Sequence, residues 1–136
     1  MSRYRLAKRE QASANPPEWP KGIIARQDAY WRSEANMAEG NPMLALERGE
    51  KVATPPALWI QSTNDLIHDY HDPESDFPGS EAQRFVRNYR KAGGEIVLEY
   101  YDAPLHFTTE HPTMPQSIAA MARVVAFVHE QMPVKI

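Results

Sequence analysis

The 136-residue sequence predicts an α/β fold: two parallel strands joined by a crossover helix, a helix after the second strand, and a cap-like helical and loop segment in front. Three observations predict it. Ala57-Leu58-Trp59-Ile60 is a continuous apolar run, the pattern of a strand covered on both faces. Ser80-Glu81-Ala82-Gln83 then opens an amphipathic helix that Gly93-Gly94 closes, and Glu95 to Tyr101 follows as a second strand. A strand, helix, strand unit this short is joined by a right-handed crossover, so the two strands lie parallel with their carboxyl ends at one sheet edge.

The division expected is residues 1–54 as the connecting segment and 55–136 as the βαβα part. In the first, Arg3 to Gln11 reads as a short helix, and Asn15-Pro16-Pro17-Glu18-Trp19-Pro20 forces extended or turn geometry. Ser33 suits the cap of a helix running to Glu39, with Gly40 at its end. Asn41-Pro42 starts another brief one through Gly49, because asparagine caps free amides and proline is preset for the first helical position. After Thr54-Pro55-Pro56 comes the first strand, Ala57 to Ser62, and then an acidic loop, Asn64 to Gly79. Phe85, Val86 and Tyr89 form the apolar stripe of the crossover helix. In the second strand Ile96, Leu98 and Tyr100 share a face. From Pro115 to Pro133, Ile118, Met121, Val125, Val128 and Met132 recur at helical spacing, and this row is expected to pack on the sheet.

Composition removes several classes of function. The formal net charge of −3 comes without a clustered basic face, so neither nucleic acid nor a membrane is an expected partner. The chain has no cysteine, which excludes a disulfide framework and a thiolate metal cage and agrees with a cytoplasmic location. No apolar run approaches bilayer length, and the basic residues near Met1 are not followed by an apolar stretch of the secretory kind.

Each strand runs out into a loop bearing a potential catalytic group, Asp65 after the first and His106 after the second. Neighbouring strands lie about 4.8 Å apart, so loops leaving one edge can bring a carboxylate to an imidazole. The bland alternatives are a turn carboxylate capping nearby amides and an ordinary loop histidine; Asp69, Asp72 and Asp76 are rivals to Asp65 in the same loop. No Gly-x-Ser-x-Gly elbow is present, and none of the serines at 2, 13, 33, 62, 75, 80 and 117 follows a strand in a glycine-flanked turn. His68-Asp69-Tyr70-His71-Asp72 invites a metal reading, but its spacing fits no familiar cage. Neither a metal nor another cofactor is therefore expected. His111 and His129 read as loop and helix-surface residues, and Trp19, Tyr30 and Trp31 as anchors of the first segment before pocket walls.

In this order of elements the sequence resembles the C-terminal part of the α/β-hydrolase family, its esterase and lipase-like members. Pro55 to Asp65 is similar to the family's penultimate core strand and acid-bearing turn, with Ser62 where glycine is usual. Phe85 to Gly94 is similar to the helix and double-glycine stop before the last strand, and Tyr100 to Phe107 to the histidine loop, with Leu105 where glycine commonly precedes the histidine. Met37 to Pro42 resembles the segment these esterases insert ahead of the acid-bearing strand. The resemblance implies a carboxylic-ester hydrolase with a small-molecule ester substrate and a Ser-Asp-His triad, of which this chain holds Asp65 and His106. The nucleophile and the oxyanion hole would belong to a serine-bearing N-terminal part. Without them the chain alone is expected to be inactive. The alternative is a non-catalytic α/β module that associates through exposed strand edges, since two parallel strands leave edges and faces open. Both readings expect association, with the serine-bearing part or with a second copy.

Overall fold

The computed structural model describes residues 23–65, 68–71 and 75–132, and these form two compact units. The expected helix at 3–11, the proline-rich loop at 15–20 with Trp19, and Asp72 lie outside the described residues. Packing divides the chain between Lys51 and Val52, and Ser75 and Asp76 belong with the first unit.

That first unit contains three short helices, α1 (Ile23–Trp31), α2 (Glu34–Glu39) and α3 (Pro42–Glu47). Ser33 Oγ accepts the Asn36 amide at 3.1 Å to start α2, and Asn41 Oδ1 accepts the Met43 amide at 3.0 Å to start α3, with Pro42 at its first position. Met37, Met43 and Leu46 are buried. Helix α1 is an addition to what the sequence predicts. It has no charge bias at either end, and the polar run Arg26-Gln27-Asp28 interrupts its apolar residues, so a helix this short leaves little periodicity to read.

The second unit is mixed α/β. Strands β1 (Ala57–Ser62) and β2 (Ile96–Tyr101) pair in parallel, in register from Ala57 opposite Ile96 to Ser62 opposite Tyr101. Between them runs α4 (Glu81–Lys91), and after them come α5 (Phe107–Glu110) and α6 (Pro115–Gln131). Alternate β1 side chains take opposite faces. Trp59 meets the Phe85 ring of α4 edge-on at 5.2 Å, whereas Ile60 packs with Tyr101 against a cluster of Ala103, Phe107 and Ala120. A helix therefore lies against each face of β1, as its unbroken apolar run requires.

The crossover is tied down at both ends. Ser80 and Gln83 form a reciprocal capping box, and Asp69 Oδ1 accepts the Ala82 amide at 3.0 Å as a second cap. At the other end Gly93 takes φ +88°, a conformation costly for any residue with a β-carbon. Gly94 is needed for a different reason: a β-carbon there would lie 2.4 Å from the Tyr89 ring and 2.7 Å from Thr54 Cβ. Tyr89 cannot give way easily, because it is buried and its hydroxyl donates to the Pro55 carbonyl.

Helix α6 corrects the expected packing. Ile118, Met121, Val125, Val128 and Met132 are between 45% and 72% exposed, while Ser117 and Ala120 are fully buried. Close approach selects small residues: Ser117 Oγ reaches the Phe107 and His111 carbonyls at 2.8 and 2.7 Å, and Ala120 joins the apolar cluster. The large apolar row faces away from that contact. Tyr100 shares the face of Ile96 and Leu98 as expected, but lies at its rim, over a third exposed, with its hydroxyl donating to Asp69 Oδ2 at 2.6 Å.

These contacts set an order of tolerance at the double glycine. Gly94→Ala is expected to cost about 1–3 kcal/mol by overpacking, and Gly93→Ala about 1 kcal/mol through its backbone alone. Urea denaturation of the two variants checks the order.

Candidate functional site

The parallel register sends the loops after β1 and β2 out of one edge, and side chains then stitch them together. Ser62 Oγ donates to the Ala103 carbonyl, Asn64 Nδ2 donates to the same carbonyl at 3.1 Å, and the Thr63 amide donates to Tyr101 at 3.0 Å. Ser62 also accepts the Asn64 amide at 3.0 Å. Ser62 is thus a bridge between the loops.

Asp65 follows this turn and is only 7% exposed. Its carboxylate ends a short relay. Trp59 Nε1 donates to Gln61 Oε1 at 2.9 Å, which turns the amide so that Gln61 Nε2 donates to Asp65 Oδ2 at 2.8 Å. Asp65 Oδ1 accepts the His68 backbone amide at 2.9 Å, and His68 Nδ1 lies 2.9 Å from Oδ2. Burial alone would push the Asp65 carboxyl upward. The His68 amide, the His68 ring and the Gln61 amide outweigh it and hold the group below the ordinary aspartate range. It is therefore an ionised acceptor, and it selects the His68 tautomer that carries its proton on Nδ1.

His106 follows β2 at the same edge. Its backbone is left-handed, φ +57° and ψ +24°, which turns the chain sharply into α5 and costs about 1–2 kcal/mol for a residue with a β-carbon. Its Nδ1 lies 3.0 Å from Glu110 Oε1, one helical turn on, so a carboxylate holds this ring as well. The His68 and His106 rings stand 5.7 Å apart, centre to centre, at 44°. The structure thus gathers Asp65, His68 and His106, but the imidazole on Asp65 is that of His68, and the carboxylate on His106 is that of Glu110.

The rest of the acidic loop disperses. Asp69 serves Ala82 and Tyr100, and His71 Nδ1 donates to the Gly79 carbonyl at 3.0 Å. Asp76 lies in the other unit. Among the described residues, no group of three or more His, Cys, Asp or Glu is placed to hold a metal ion. His111 and His129 are exposed, at the end of α5 and in the last turn of α6. Tyr30 is exposed and meets Trp31 edge-on at 5.0 Å.

Gln61 and Glu110 are site residues that sequence reasoning did not bring forward, and His68 entered it only within the His68 to Asp72 cluster, not as the partner of Asp65. Signals existed: Asp65 and His68 have the spacing of a single turn, and His106 and Glu110 that of adjacent helical turns. No protein-family model, curated protein or solved structure matches the chain. Among the described residues, no helix is long and apolar enough to cross a membrane.

The Asp65 network has a pH signature. A carboxyl held low in the folded state adds stability above its unfolded pKa, near 4, and loses it as pH falls through the lower folded value. The stability gap between the native chain and Asp65→Asn is accordingly expected to be full at pH 7 and to narrow below about pH 4. Urea midpoints of the two proteins over that range measure it.

Proposed function

We propose that this chain carries the carboxylate and imidazole of a serine carboxylic-ester hydrolase of α/β-hydrolase type, with the nucleophile on another segment. One observation supports the reading above all: a buried, ionised Asp65 and two imidazoles lie together at the carboxyl edge of a parallel strand pair. In such a reaction the Nε2 atom of His106 removes the serine proton during attack on the ester carbonyl and returns it to the leaving alcohol. A carboxylate on Nδ1 keeps the required tautomer and stabilises the imidazolium. In the assembled enzyme that carboxylate is Asp65; in the chain by itself Glu110 holds His106, and Asp65 holds His68. The arrangement is a resting one, because proton transfer has no acceptor chemistry to serve until an alcohol nucleophile and oxyanion donors are supplied.

The non-catalytic module remains a second reading, favoured by the exposed apolar row of α6. It needs no role for Asp65 or His106 beyond turn formation.

A short activated ester separates the two. The chain alone is expected to turn over none. Joined to a serine-bearing N-terminal half, it is expected to gain activity that His106→Ala lowers by about ten-thousand-fold or more. His68→Ala should cost far less. Activity of the isolated chain that survives His106→Ala, or an assembled complex indifferent to it, would overturn the proposal.

A further inference from the structure

We propose that the Nε2 atoms of His68 and His106 form a two-histidine site for a divalent transition cation of borderline softness: zinc, nickel or copper(II). The inference does not depend on the ester-hydrolase reading and is tested by binding alone.

Four observations carry it. Both imidazoles have Nδ1 against a carboxylate, His68 on Asp65 at 2.9 Å and His106 on Glu110 at 3.0 Å. A neutral ring so held carries its proton on Nδ1 and keeps its remaining lone pair on Nε2. This is the arrangement in which metal-bound histidines are usually found, since the carboxylate fixes the tautomer and raises the basicity of the ligand. Second, the spacing suits one ion: two rings bound through Nε2 at about 2.0–2.1 Å to a tetrahedral cation have centres roughly 5 Å apart, against 5.7 Å here. A modest side-chain adjustment closes the difference.

Third, the strand ends from which the two ligand loops leave are bridged by Ser62 and Asn64, and His68 is further tied to Asp65 by its amide and its ring, which lowers the ordering left for the ion to impose. Fourth, the His68 and His106 side chains are 54% and 39% exposed, which leaves an approach from solvent. Two negative carboxylates beside the rings favour a cation there. The donor set excludes hard ions, since magnesium and calcium need a shell of oxygen ligands. Among the described residues no third His, Cys, Asp or Glu is placed to join the two rings as a ligand, since Asp65 and Glu110 are taken up by their Nδ1 atoms; water completes the coordination, and the site is open and exchangeable.

The test uses the native chain. Zinc is titrated calorimetrically at neutral pH, and nickel is added while the ring protons of all five histidines, at 68, 71, 106, 111 and 129, are followed by NMR. One ion is expected per chain, with the His68 and His106 ring signals broadened together and before the rest. His68→Ala and His106→Asn should each weaken binding about tenfold or more; asparagine is chosen because it tolerates the left-handed backbone at 106. Glu110→Ala should weaken it by about tenfold through loss of the Nδ1 partner, and His71→Ala should change nothing. Nickel broadening that begins at His71, His111 or His129, zinc affinity unchanged in both ligand variants, or no binding by the native chain overturns the site. The nickel experiment needs no variant and so does not depend on any substituted protein folding.

Discussion

The gathering of Asp65, His68 and His106 at one edge depends on one constraint, the parallel pairing of β1 with β2. Had the strands run antiparallel, the loops after Ser62 and Tyr101 would leave from opposite ends and Asp65 could not share a rim with His106. The in-register pairing also places the two strand ends level, so that single side chains, Ser62 and Asn64, span the gap to Ala103. The crossover helix maintains that geometry from behind. Its capping box, the Asp69 cap and the tight Gly94 contact fix where α4 begins and ends, and Arg90 donates to the Ile96 carbonyl at 2.8 Å where β2 starts.

Within this frame the choice of partner for Asp65 follows from locality. His68 is three residues away, and its backbone amide is bonded to the same carboxylate, so little chain entropy is lost in bringing its ring to Oδ2. His106 comes from a loop forty-one positions downstream and has a local carboxylate of its own in Glu110. Two local pairs thus stand where the resemblance implies one long-range pair. A buried carboxylate cannot be left unpartnered without cost, so until something else orders the rim, the nearest imidazole takes it.

The parts of this arrangement that could be read in the sequence are those controlled by short-range chemistry. Ser80 with Gln83, Asn41 with Pro42 and the Gly93-Gly94 stop are local signals, and each marks its element in the structure. The unbroken run Ala57 to Ile60 carried the information that β1 is flanked on two sides. The direction in which α6 faces was not legible, because periodicity identifies a stripe and not its neighbour. Ser117 and Ala120 won the contact through their small size, a matter of how closely two backbones approach and not of hydropathy. Asp65 and His106 were legible as residues at one edge, while the local spacings that pair them with His68 and Glu110 are weak signals, since many such pairs in a sequence never meet.

The exposed row on α6 and the clustered imidazoles pose different physical problems. An apolar row left in water loses stabilisation, yet at the polar rim each Nδ1 is held by a carboxylate. The row calls for more surface, whereas the rim calls only for a proton or a Lewis acid. Those two occupants compete for the same lone pair on Nε2, so a cation bridging His68 and His106 and a serine proton passing through His106 exclude each other. In the proposed enzyme, drawing His106 from Glu110 onto Asp65 displaces His68 from the carboxylate and removes the partner that suits His68 to bind metal. If both proposals hold, the pairing required for base catalysis would dismantle the cation site, and Asp65, with one buried carboxylate to share between two rings, would be the residue through which that choice is made.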